Sequence, residues 1–497
     1  MITLFKALVK LHIITPVGLC HLLTSFYKEG ITLMAVLRFT TKYYSDQCAI
    51  VSENQRYTYK EIYAASKKIA HCLFHIHGIR KNMKVGVLSR NHIVSSLLIP
   101  ALSRLGVHLY LLNTDMGAEK MSSLLLKIQL DFLVYDDDLK QNCLPRTLEC
   151  KSVTTNVLGT QFPNLDSKAD LPRIGRGGRI SVLTGGSSGQ YKEASRNTGV
   201  LQFLPPFFAL LKDIKIQDYK SVFLALPFYH GFGLGVLIIA MVMGKKICMT
   251  RRFDTEEALD VISAEEVEVL PIVPAMLSRI WQTDNSSSRM KSVKCIICGG
   301  DRLDKKWVDE TKQRVGSVLF NLYGTSEAGF FMLATPSDLE KHTETTLGRP
   351  ISGVLCDVRD VNDEGVGVLW VKSKWAMIDA KNQWQSTGDR VFKDKEGFYF
   401  HRGIAKNMVV CGGENVFPES VEQVINLHPE VINSKVYPVE NERFGMVLHA
   451  IVELKKDSIL KENDLKEWLS SKVSRPEMPH QINFGSVGLL STGKRTK

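Results

Sequence analysis

The sequence lacks an uninterrupted apolar run of about 20 residues, the length that a membrane-spanning helix needs. Its first forty residues are rich in apolar side chains but are interrupted by Lys6, Lys10, His12, His21 and Lys28. A transmembrane helix is therefore not expected. Two interpretations of residues 1–40 stay open: an amphipathic helical segment that contacts a membrane surface or, the commoner case, helices packed on the protein's own surface.

The sequence also lacks a cysteine pattern typical of metal sites or disulfide frameworks. Its ten cysteines are scattered, and the one close pair, Cys295 and Cys298, lies in the apolar run VKCIICGG with no second pair nearby. This context favours buried strand cysteines over a zinc or redox site. No secretory signal is recognisable, so we expect a cytoplasmic protein with reduced thiols, and we leave membrane association through residues 1–40 open.

Internal repeats and long low-complexity tracts are absent, and the composition is that of a globular protein. Of the 497 residues, 44% are hydrophobic and 23% are charged. This length predicts two to four domains or subdomains. The net charge of +11, from 63 basic and 52 acidic residues, favours anionic partners such as nucleotides, coenzymes, nucleic acid or an anionic membrane, without choosing among them.

Short β-branched runs alternate with helical patterns over most of the chain. The strand-like runs are KVGVLSRN, HLYLLN, DFLVYDD, SVFLALPF, EVLPIVP, VKCIICGG and SVLFNLYG. The alternation predicts an α/β fold with sheets flanked by helices. After about residue 345, short strands with tight turns predict a β-rich subdomain, and the pattern from 404 onwards predicts a small α+β domain.

The segment SVLTGGSSGQYK (181–192) combines bare backbone, hydroxyl groups and one lysine. Glycine lets backbone N–H groups approach an oxyanion closely, hydroxyls add donors, and the lysine adds positive charge, so the segment suits phosphate binding. It does not have the residue order of a Walker loop. From composition alone, a surface turn is an equally good interpretation.

An ordered series of motifs follows this segment. In chain order they are LPFYHGFG (226–233), CGGDRL (298–303), NLYGTSEAG (321–329), STGDR (386–390), GGENVFPESVE (412–422) and STGKRTK (491–497). Together with the segment at 181–192, the series resembles the adenylate-forming (AMP-binding) superfamily in its acyl-CoA synthetase branch. The resemblance extends over residues 45–497. It implies a large N-terminal domain of stacked mixed sheets and helices and a small mobile C-terminal domain.

The resemblance also implies a role for each matching residue. The ATP phosphates would be held by Thr184, Gly185, Gly186, Ser187, Ser188, Gly189 and Lys192. The adenosine part would be bound by Gly299, Gly300, Asp301, Tyr323, Gly324, Thr325 and Asp389. Ser326 would contact the α-phosphate, Glu327 would hold Mg²⁺, and Lys494 would bridge the acyl carboxylate and the α-phosphate. His230, Gly231 and Gly233 would form the acid pocket. Asn407 would be the domain hinge. The CoA loop would contain Gly412, Gly413 and Glu414.

The chemistry of adenylation suits these residue types. A carboxylate that attacks an α-phosphate must overcome repulsion between two anions, so a lysine and a divalent cation at the developing charge supply most of the catalysis. A general base is not required, because a carboxylic acid is already ionised at pH 7. The absence of a recognisable Ser-His-Asp set is therefore expected.

The segment after FYHGFGLG indicates the kind of acid. Family members that take amino acids carry an aspartate there for the substrate ammonium, whereas this chain continues GVLIIAMVMG without a carboxylate. An unpaired ammonium is costly in such surroundings, which favours an apolar acyl chain. Gly231, Gly233 and Gly235 would leave room for a medium- or long-chain fatty acid, although tight helix packing would explain them equally well. CoA is the expected acceptor, and a carrier-protein phosphopantetheine is the alternative.

The sequence departs from the family at several positions. Tyr191 and Glu193 replace a proline and a glycine in the phosphate loop, and the final motif ends with Lys497 where an arginine is usual. Ile404 and Asn407 stand where the family has a ribose-binding arginine and a hinge aspartate. Arg402 lies two residues before Ile404, and since residues i and i+2 of a strand share a face, we expect it to replace that arginine in part.

We therefore predict an acyl-CoA synthetase that uses ATP, Mg²⁺ and CoA. Its predicted parts are an N-terminal helical segment (1–40), a large AMP-binding domain (41–403) and a C-terminal lid (404–497). A ligase that loads a carrier protein, and a weakened homologue that binds nucleotide or lipid, are the alternatives. No nucleic-acid partner is expected, and a homodimer is left open.

Overall fold

The computed structural model describes residues 2–53, 55–116, 118–145, 148–161, 171–185, 191–197, 204–404, 407, 409–411, 414–441, 445–470, 472–473 and 477–488. The chain divides into two compact units. The first comprises Met1–Pro271, Ser288–Ile296 and Lys374–Lys381, and the second comprises Ile272–Ser287, Ile297–Ser373 and Asn382–Lys497.

The first unit contains helices and strands in alternation. The helices are α1 (Ile2–Lys10), α2 (Pro16–Glu29), α3 (Leu33–Tyr44), α4 (Tyr59–His75), α5 (Ile93–Leu105), α6 (Ala118–Ile128), α7 (Lys140–Cys143), α8 (Thr155–Gln161), α9 (Leu204–Ala209), α10 (Gly231–Val242) and α11 (Thr255–Ala264). The strands are β1 (Cys48–Ser52), β2 (Gln55–Thr58), β3 (Lys84–Leu88), β4 (His108–Leu111), β5 (Phe132–Tyr135), β6 (Lys151–Thr154), β7 (Arg179–Gly185), β8 (Tyr191–Asn197), β9 (Ser221–Leu224), β10 (Lys246–Met249) and β11 (Val269–Ile272).

These strands form two largely parallel sheets. One has the order β6-β5-β3-β4-β7-β8 and is parallel except for β8, which runs antiparallel to β7. The other contains β11-β9-β10-β1-β2 and is parallel except for the β1-β2 pair. Strands such as β5 and β9 are buried along their whole length, which explains why they read as continuous apolar runs.

After β11 the chain continues with six helices and thirteen strands in the described residues. The helices are α12 (Pro274–Gln282), α13 (Ser286–Arg289), α14 (Lys305–Val315), α15 (Pro336–Lys341), α16 (Pro418–Ile425) and α17 (Glu462–Ser470). The strands are β12 (Cys295–Gly299), β13 (Leu319–Thr325), β14 (Gly329–Ala334), β15 (Arg349–Pro350), β16 (Val354–Arg359), β17 (Val366–Ser373), β18 (Trp384–Lys393), β19 (Tyr399–Ile404), β20 (Val409–Cys411), β21 (Glu414–Val416), β22 (Val431–Asn441), β23 (Gly445–Leu454) and β24 (Gln481–Phe484).

Three groups of strands organise the second unit. The first has the order β15-β14-β13-β12, and the second is the antiparallel sheet β16-β17-β18-β19. The third has the order β21-β20-β23-β22, and β24 pairs with β23. This last sheet has a core of its own, which includes Val421, Ile425, Leu448, Leu465 and Ile482.

The predicted α/β class, the β-rich part after residue 345 and the α+β C-terminal part are confirmed. Residues 2–40 are largely helical, and none of the helices in the described residues is long and apolar enough to cross a membrane. Cys295 and Cys298 are fully buried in β12, and burial raises the pKa of both thiols. The domain boundaries after residues 40 and 403 stay predictions.

Candidate functional site

Tyr323, near the end of β13, meets Asp389 of β18 through a side-chain hydrogen bond. The Tyr323 hydroxyl donates to Oδ2 of Asp389. Burial, and then the charge of Asp389, raise the pKa of Tyr323 well above its ordinary value, so the phenol stays protonated and acts as a donor. The structure thus brings together the residues predicted to bind the adenine and the ribose.

The backbone around Tyr323 requires glycine. A Cβ at Gly324 would lie 2.4 Å from the carbonyl oxygen of Gly329, and one at Gly299 would lie 2.5 Å from that of Leu322. Only a residue without a side chain permits these approaches. The segment Gly299, Gly300 and Asp301 is therefore held beside β13, as its predicted role at the adenine requires.

His401 lies near the other carboxylate oxygen of Asp389, and the sequence did not predict it as a site residue. Nε2 of His401 lies 3.7 Å from Oδ1 of Asp389, and Nδ1 of His401 accepts a hydrogen bond from the backbone N–H of Gly403 (3.2 Å). The HRG sequence gave no signal for this role, because it depends on how β19 pairs with β18.

Arg402 is paired with Glu344, a contact that the sequence did not predict. Its guanidinium makes a bidentate ion pair with Glu344, with both N–O distances at 2.7 Å. The cause is a bulge: in the pairing of β18 with β19, Asp389 lies opposite Ile404, but Val391 lies opposite His401. The extra residue on β19 breaks the simple alternation of faces on which the expectation relied. The role of Arg402 as a partial replacement for the missing arginine stays a prediction.

The turn after β13 carries the residues predicted for phosphate and magnesium. The Thr325 hydroxyl accepts a hydrogen bond from the backbone N–H of Ala328 (3.0 Å) and so shapes the turn. Within it, Ser326 is exposed and Glu327 is half-buried. A carboxylate in this position suits Mg²⁺, which is commonly bound by one or two carboxylates together with substrate phosphates.

The phosphate-loop motif forms a hairpin in the first unit. Thr184 pairs with Lys192 and Gly185 pairs with Tyr191, so the strands β7 and β8 flank the glycine- and serine-rich tip. The predicted residues of the tip itself lie outside the described residues: Gly186, Ser187, Ser188 and Gly189. Their roles stay predictions, as does that of the Lys192 side chain.

The predicted acid-pocket residues lie at the start of α10. His230 precedes the helix in an extended conformation, and its ring lies 4.6 Å from that of Tyr229. A Cβ at Gly233 would lie 2.2 Å from the carbonyl oxygen of Pro227, so Gly233 packs tightly against the turn before the helix, and its role in the acid pocket stays a prediction. At Gly231 and Gly235, by contrast, an added Cβ would meet no atom within 4 Å.

Asn91 positions the turn before His230. This role of Asn91 was not predicted from the sequence. Its amide Nδ2 donates to the carbonyl of Leu226 (2.9 Å), and its Oδ1 accepts from the backbone N–H of Phe228 (3.1 Å). The side chain is buried. A buried amide that satisfies both groups of a turn fixes its geometry, although a lone asparagine after a strand gives no such signal in the sequence.

The C-terminal part contacts residues that follow the CGGDRL motif. Nη1 of Arg302 donates to the carbonyl of Glu419 in α16 (2.9 Å), and Asn426 donates to Asp304 (3.2 Å). The predicted hinge residue Asn407 is exposed, and its amide donates to Oε1 of Glu419 (2.5 Å). Polar contacts of this kind suit an interface that opens and closes, but the hinge itself stays a prediction.

Three further predicted residues lie outside the described part of the chain. They are Gly412, Gly413 and Lys494. Glu414 is paired opposite Cys411 in the β20-β21 hairpin, and only its backbone is described.

Comparison with known proteins decides the family. A family model described as AMP-binding enzyme matches residues 37–378, which is more than half of the chain, and the model of the AMP-binding enzyme C-terminal domain matches residues 420–493. The chain belongs to the AMP-binding enzyme family. The predicted family and the prediction of an enzyme are thereby confirmed.

This AMP-binding enzyme has curated relatives over most of its length. The 2-succinylbenzoate–CoA ligase of Bacillus subtilis (strain 168) is 24% identical over 458 residues, which cover 87% of this chain and 90% of the relative.

Two solved structures show the same fold. One is o-succinylbenzoate CoA synthetase (MenE) from Bacillus subtilis in complex with ATP and magnesium, with a TM-score of 0.76, 22% identity and coverage of 92% and 97% of the two chains. The other is the anthranilate CoA ligase AuaEII with anthranoyl-AMP, with a TM-score of 0.80, 18% identity and coverage of 93% and 95%. The cofactors predicted here, ATP, Mg²⁺ and CoA, agree with the ligands and names of these proteins.

Proposed function

We propose that this AMP-binding enzyme activates a carboxylic acid with ATP and then transfers the acyl group to CoA. The contact between Tyr323 and Asp389 is the observation that supports the proposal, because an aromatic ring beside a carboxylate suits the binding of an adenine and its ribose together. The family membership and the names of the relatives, which are CoA ligases, support it.

The two steps follow from the chemistry of the groups. In the first, an oxygen of the substrate carboxylate attacks the α-phosphorus of ATP, the bond to the β-phosphate oxygen breaks, and pyrophosphate leaves with the electron pair. In the second, the thiolate of CoA attacks the acyl carbonyl, and AMP leaves. Tyr323 and Asp389 would orient the nucleotide in both steps, so that little freedom is lost at the reacting centre.

The charge on the phosphates requires compensation in the first step. Glu327 is the residue that would hold Mg²⁺, which when bound offsets charge on the transferred and leaving groups. Lys494 would contact the oxygens of the acyl carboxylate and the α-phosphate. Residues 184–192 would hold the β- and γ-phosphates.

The acid is proposed to have an apolar body without an ammonium group. The open space at Gly231 and Gly235, on one face of α10, supports room for such a body, and no carboxylate occurs in α10 to pair with an ammonium. The relatives are named for 2-succinylbenzoate and anthranilate. They give no support to the medium- or long-chain fatty acid expected from the sequence, so aromatic acids belong in the test beside aliphatic ones.

The test is pyrophosphate release with ATP and Mg²⁺ over a panel of aromatic and aliphatic acids, with and without CoA. Asp389→Asn and Lys494→Ala should lower the release, whereas Asp357→Asn, a half-exposed carboxylate of β16, should leave it unchanged. Release that CoA stimulates and that the first two variants lose would support the proposal.

Two other outcomes would point elsewhere. Acyl transfer to a carrier protein but not to CoA would assign the enzyme to carrier loading. ATP binding without pyrophosphate release for any acid would favour a weakened homologue, for which the replacement of the family arginine by Ile404, opposite Asp389, is the motivating observation.

A further inference from the structure

Helix α2 carries large apolar side chains on its exposed side. Leu19, Leu23 and Tyr27, spaced by four residues, are 46%, 66% and 67% exposed. Gly18, Ser25 and Glu29 are buried on the opposite side, where Leu22 and Phe26 are only half-buried. A usual surface helix turns its apolar stripe to the core, so a second apolar stripe on the exposed side is unusual. We call Leu19, Leu23 and Tyr27 the α2 stripe.

The orientation of α2 is fixed at both ends. The Thr15 hydroxyl caps its first turn by accepting from the N–H of Gly18 (3.0 Å), and Gly30, with φ of 72°, ends it. At the C-terminal end, Oε2 of buried Glu29 accepts from Nε of buried Arg104 (2.9 Å), and Oε1 accepts from the hydroxyl of Tyr63 (2.6 Å). These bonds prevent the helix from rolling to bury the stripe, because the roll would leave Glu29 and Arg104 without their partners.

Positive charge surrounds the α2 stripe. Arg173 lies over the ring of Tyr27, with 4.7 Å from its Cζ to the ring centroid, and its Nη2 donates to the Tyr27 hydroxyl (3.0 Å). Lys28 is exposed at the end of the helix. Arg176 is also exposed, and its β-bridge with Ile31 brings it close to the C-terminal end of α2.

Negative charge is absent from the same part of the sequence. Residues 1–28 contain three lysines and no aspartate or glutamate. Of these lysines, Lys10 is paired with Asp218 (2.9 Å), and the other two are Lys6 and Lys28. Helix α1 repeats the pattern on a smaller scale, with Phe5 62% exposed and Val9 38% exposed beside exposed Lys6.

We propose that the α2 stripe and its basic rim dock on the surface of an anionic phospholipid bilayer. A helix with an exposed apolar face and basic neighbours lies in the plane of a membrane interface, where its apolar side chains enter the acyl boundary and its cations meet lipid phosphates. Charge complementarity selects this partner, because the basic rim consists of Lys6, Lys28, Arg173 and Arg176 and residues 1–28 contain no acidic side chain. A contiguous exposed apolar patch commonly marks a surface that another surface covers. The proposal does not depend on the substrate of the enzyme.

The experiment is flotation of the full chain with vesicles of phosphatidylcholine alone and with vesicles of phosphatidylcholine and phosphatidylglycerol in equal parts. The wild-type chain should float with the anionic vesicles, and added salt should release it. The double variant Leu19→Ser/Leu23→Ser should bind at least about tenfold more weakly, because two inserted leucines are lost. Lys28→Gln and Arg176→Gln should each weaken binding about fivefold.

Matched variants control for general surface effects. Leu355→Ser/Ile459→Ser changes two apolar residues that are 58% and 92% exposed in other elements, and Lys456→Gln removes an exposed charge far along the chain. Both should float as the wild type does. All variants should keep the wild-type unfolding temperature, which shows that a loss of flotation is not a loss of fold.

Three results would overturn the proposal. If the wild-type chain floated equally with the neutral and the anionic vesicles, the basic rim would have no role in binding. If Leu19→Ser/Leu23→Ser floated as well as the wild type does, the α2 stripe would have no role in binding. Lack of flotation, together with self-association that the same double variant abolishes, would show that a second copy of the chain covers the stripe.

Discussion

His401 and Asp389 face each other across the bulge between β18 and β19, with Nε2 of His401 3.7 Å from Oδ1 of Asp389. Because Nδ1 of His401 accepts the backbone N–H of Gly403, the neutral ring carries its proton on Nε2, on the side of the carboxylate. The Tyr323 hydroxyl holds the other oxygen. The carboxylate proposed to bind the ribose is thus held by Tyr323 on one oxygen and has His401 near the other.

The first prediction concerns His401 as a positioning residue. His401→Leu should raise the KM for ATP about three- to tenfold with little change in kcat, because one polar contact that orients Asp389 is lost. His401→Gln, whose amide can still reach the carboxylate, should restore most of the affinity. Initial rates of pyrophosphate release against ATP concentration provide the measurement, and an equal loss of kcat in both variants would contradict the positioning role.

The second prediction concerns a substitution that restores the arginine that the family has at position 404. Ile404 is half-buried and lies opposite Asp389 in the strand pairing. Ile404→Arg should therefore lower the KM for ATP about five- to tenfold, since a charge-assisted hydrogen bond to the nucleotide or to Asp389 becomes available. The matched control is Ile404→Met, which keeps an apolar side chain of similar size and should leave the KM unchanged. An unaltered KM in the arginine variant would indicate that His401 already fills this role.

The third prediction separates two kinds of glycine in α10. Gly233→Ala should lower the free energy of unfolding by about 1–3 kcal/mol, because its Cβ would collide with the backbone at Pro227. Gly235→Ala meets open space and should keep or raise stability. If the space beside Gly235 receives the acid, Gly235→Val should shift the preference of the enzyme toward smaller acids. Urea unfolding and the acid panel supply the two measurements, and equal destabilisation at both positions would contradict the assignment.

Much of the fold and part of the site could be predicted from the sequence. β5 and β9 are buried throughout, so their apolar runs marked them as strands. The motif resemblance assigned Tyr323 and Asp389 to one nucleotide, and the two side chains are in contact. The positions of His401 and Arg402 could not be predicted, because one extra residue in β19 exchanges which of them faces Asp389. Asn91 was missed because its partners lie 135 and 137 residues away, beyond the reach of any local pattern.

A buried polar cluster at the ends of β3 and β5 provides a prediction about stability. Asp136, 1% exposed, accepts hydrogen bonds from the hydroxyls of Ser89 (2.7 Å) and Thr155 (2.8 Å) and from the backbone N–H of Arg90 (2.9 Å). Nε2 of His92 lies 2.9 Å from the same carboxylate. Burial alone would raise the pKa of Asp136, but the hydrogen bond and charge of His92, followed by the bonds from Arg90 and Ser89, outweigh burial and lower the pKa to about 2.

The fourth prediction follows from this lowered pKa. Since the pKa of Asp136 falls from 3.8 to about 2 on folding, the ionised carboxylate stabilises the fold above pH 3.8, and this contribution is lost as the pH falls through 2. Asp136→Asn should therefore lower the free energy of unfolding at pH 7 by on the order of 2 kcal/mol, and the difference from the wild type should shrink below about pH 4. Asp138→Asn, whose side chain is 52% exposed, should change it by less than about 0.5 kcal/mol. Urea unfolding from pH 7 to pH 3 measures both, and a difference for Asp136→Asn that does not vary with pH would show that packing, and not the charge, explains the cost.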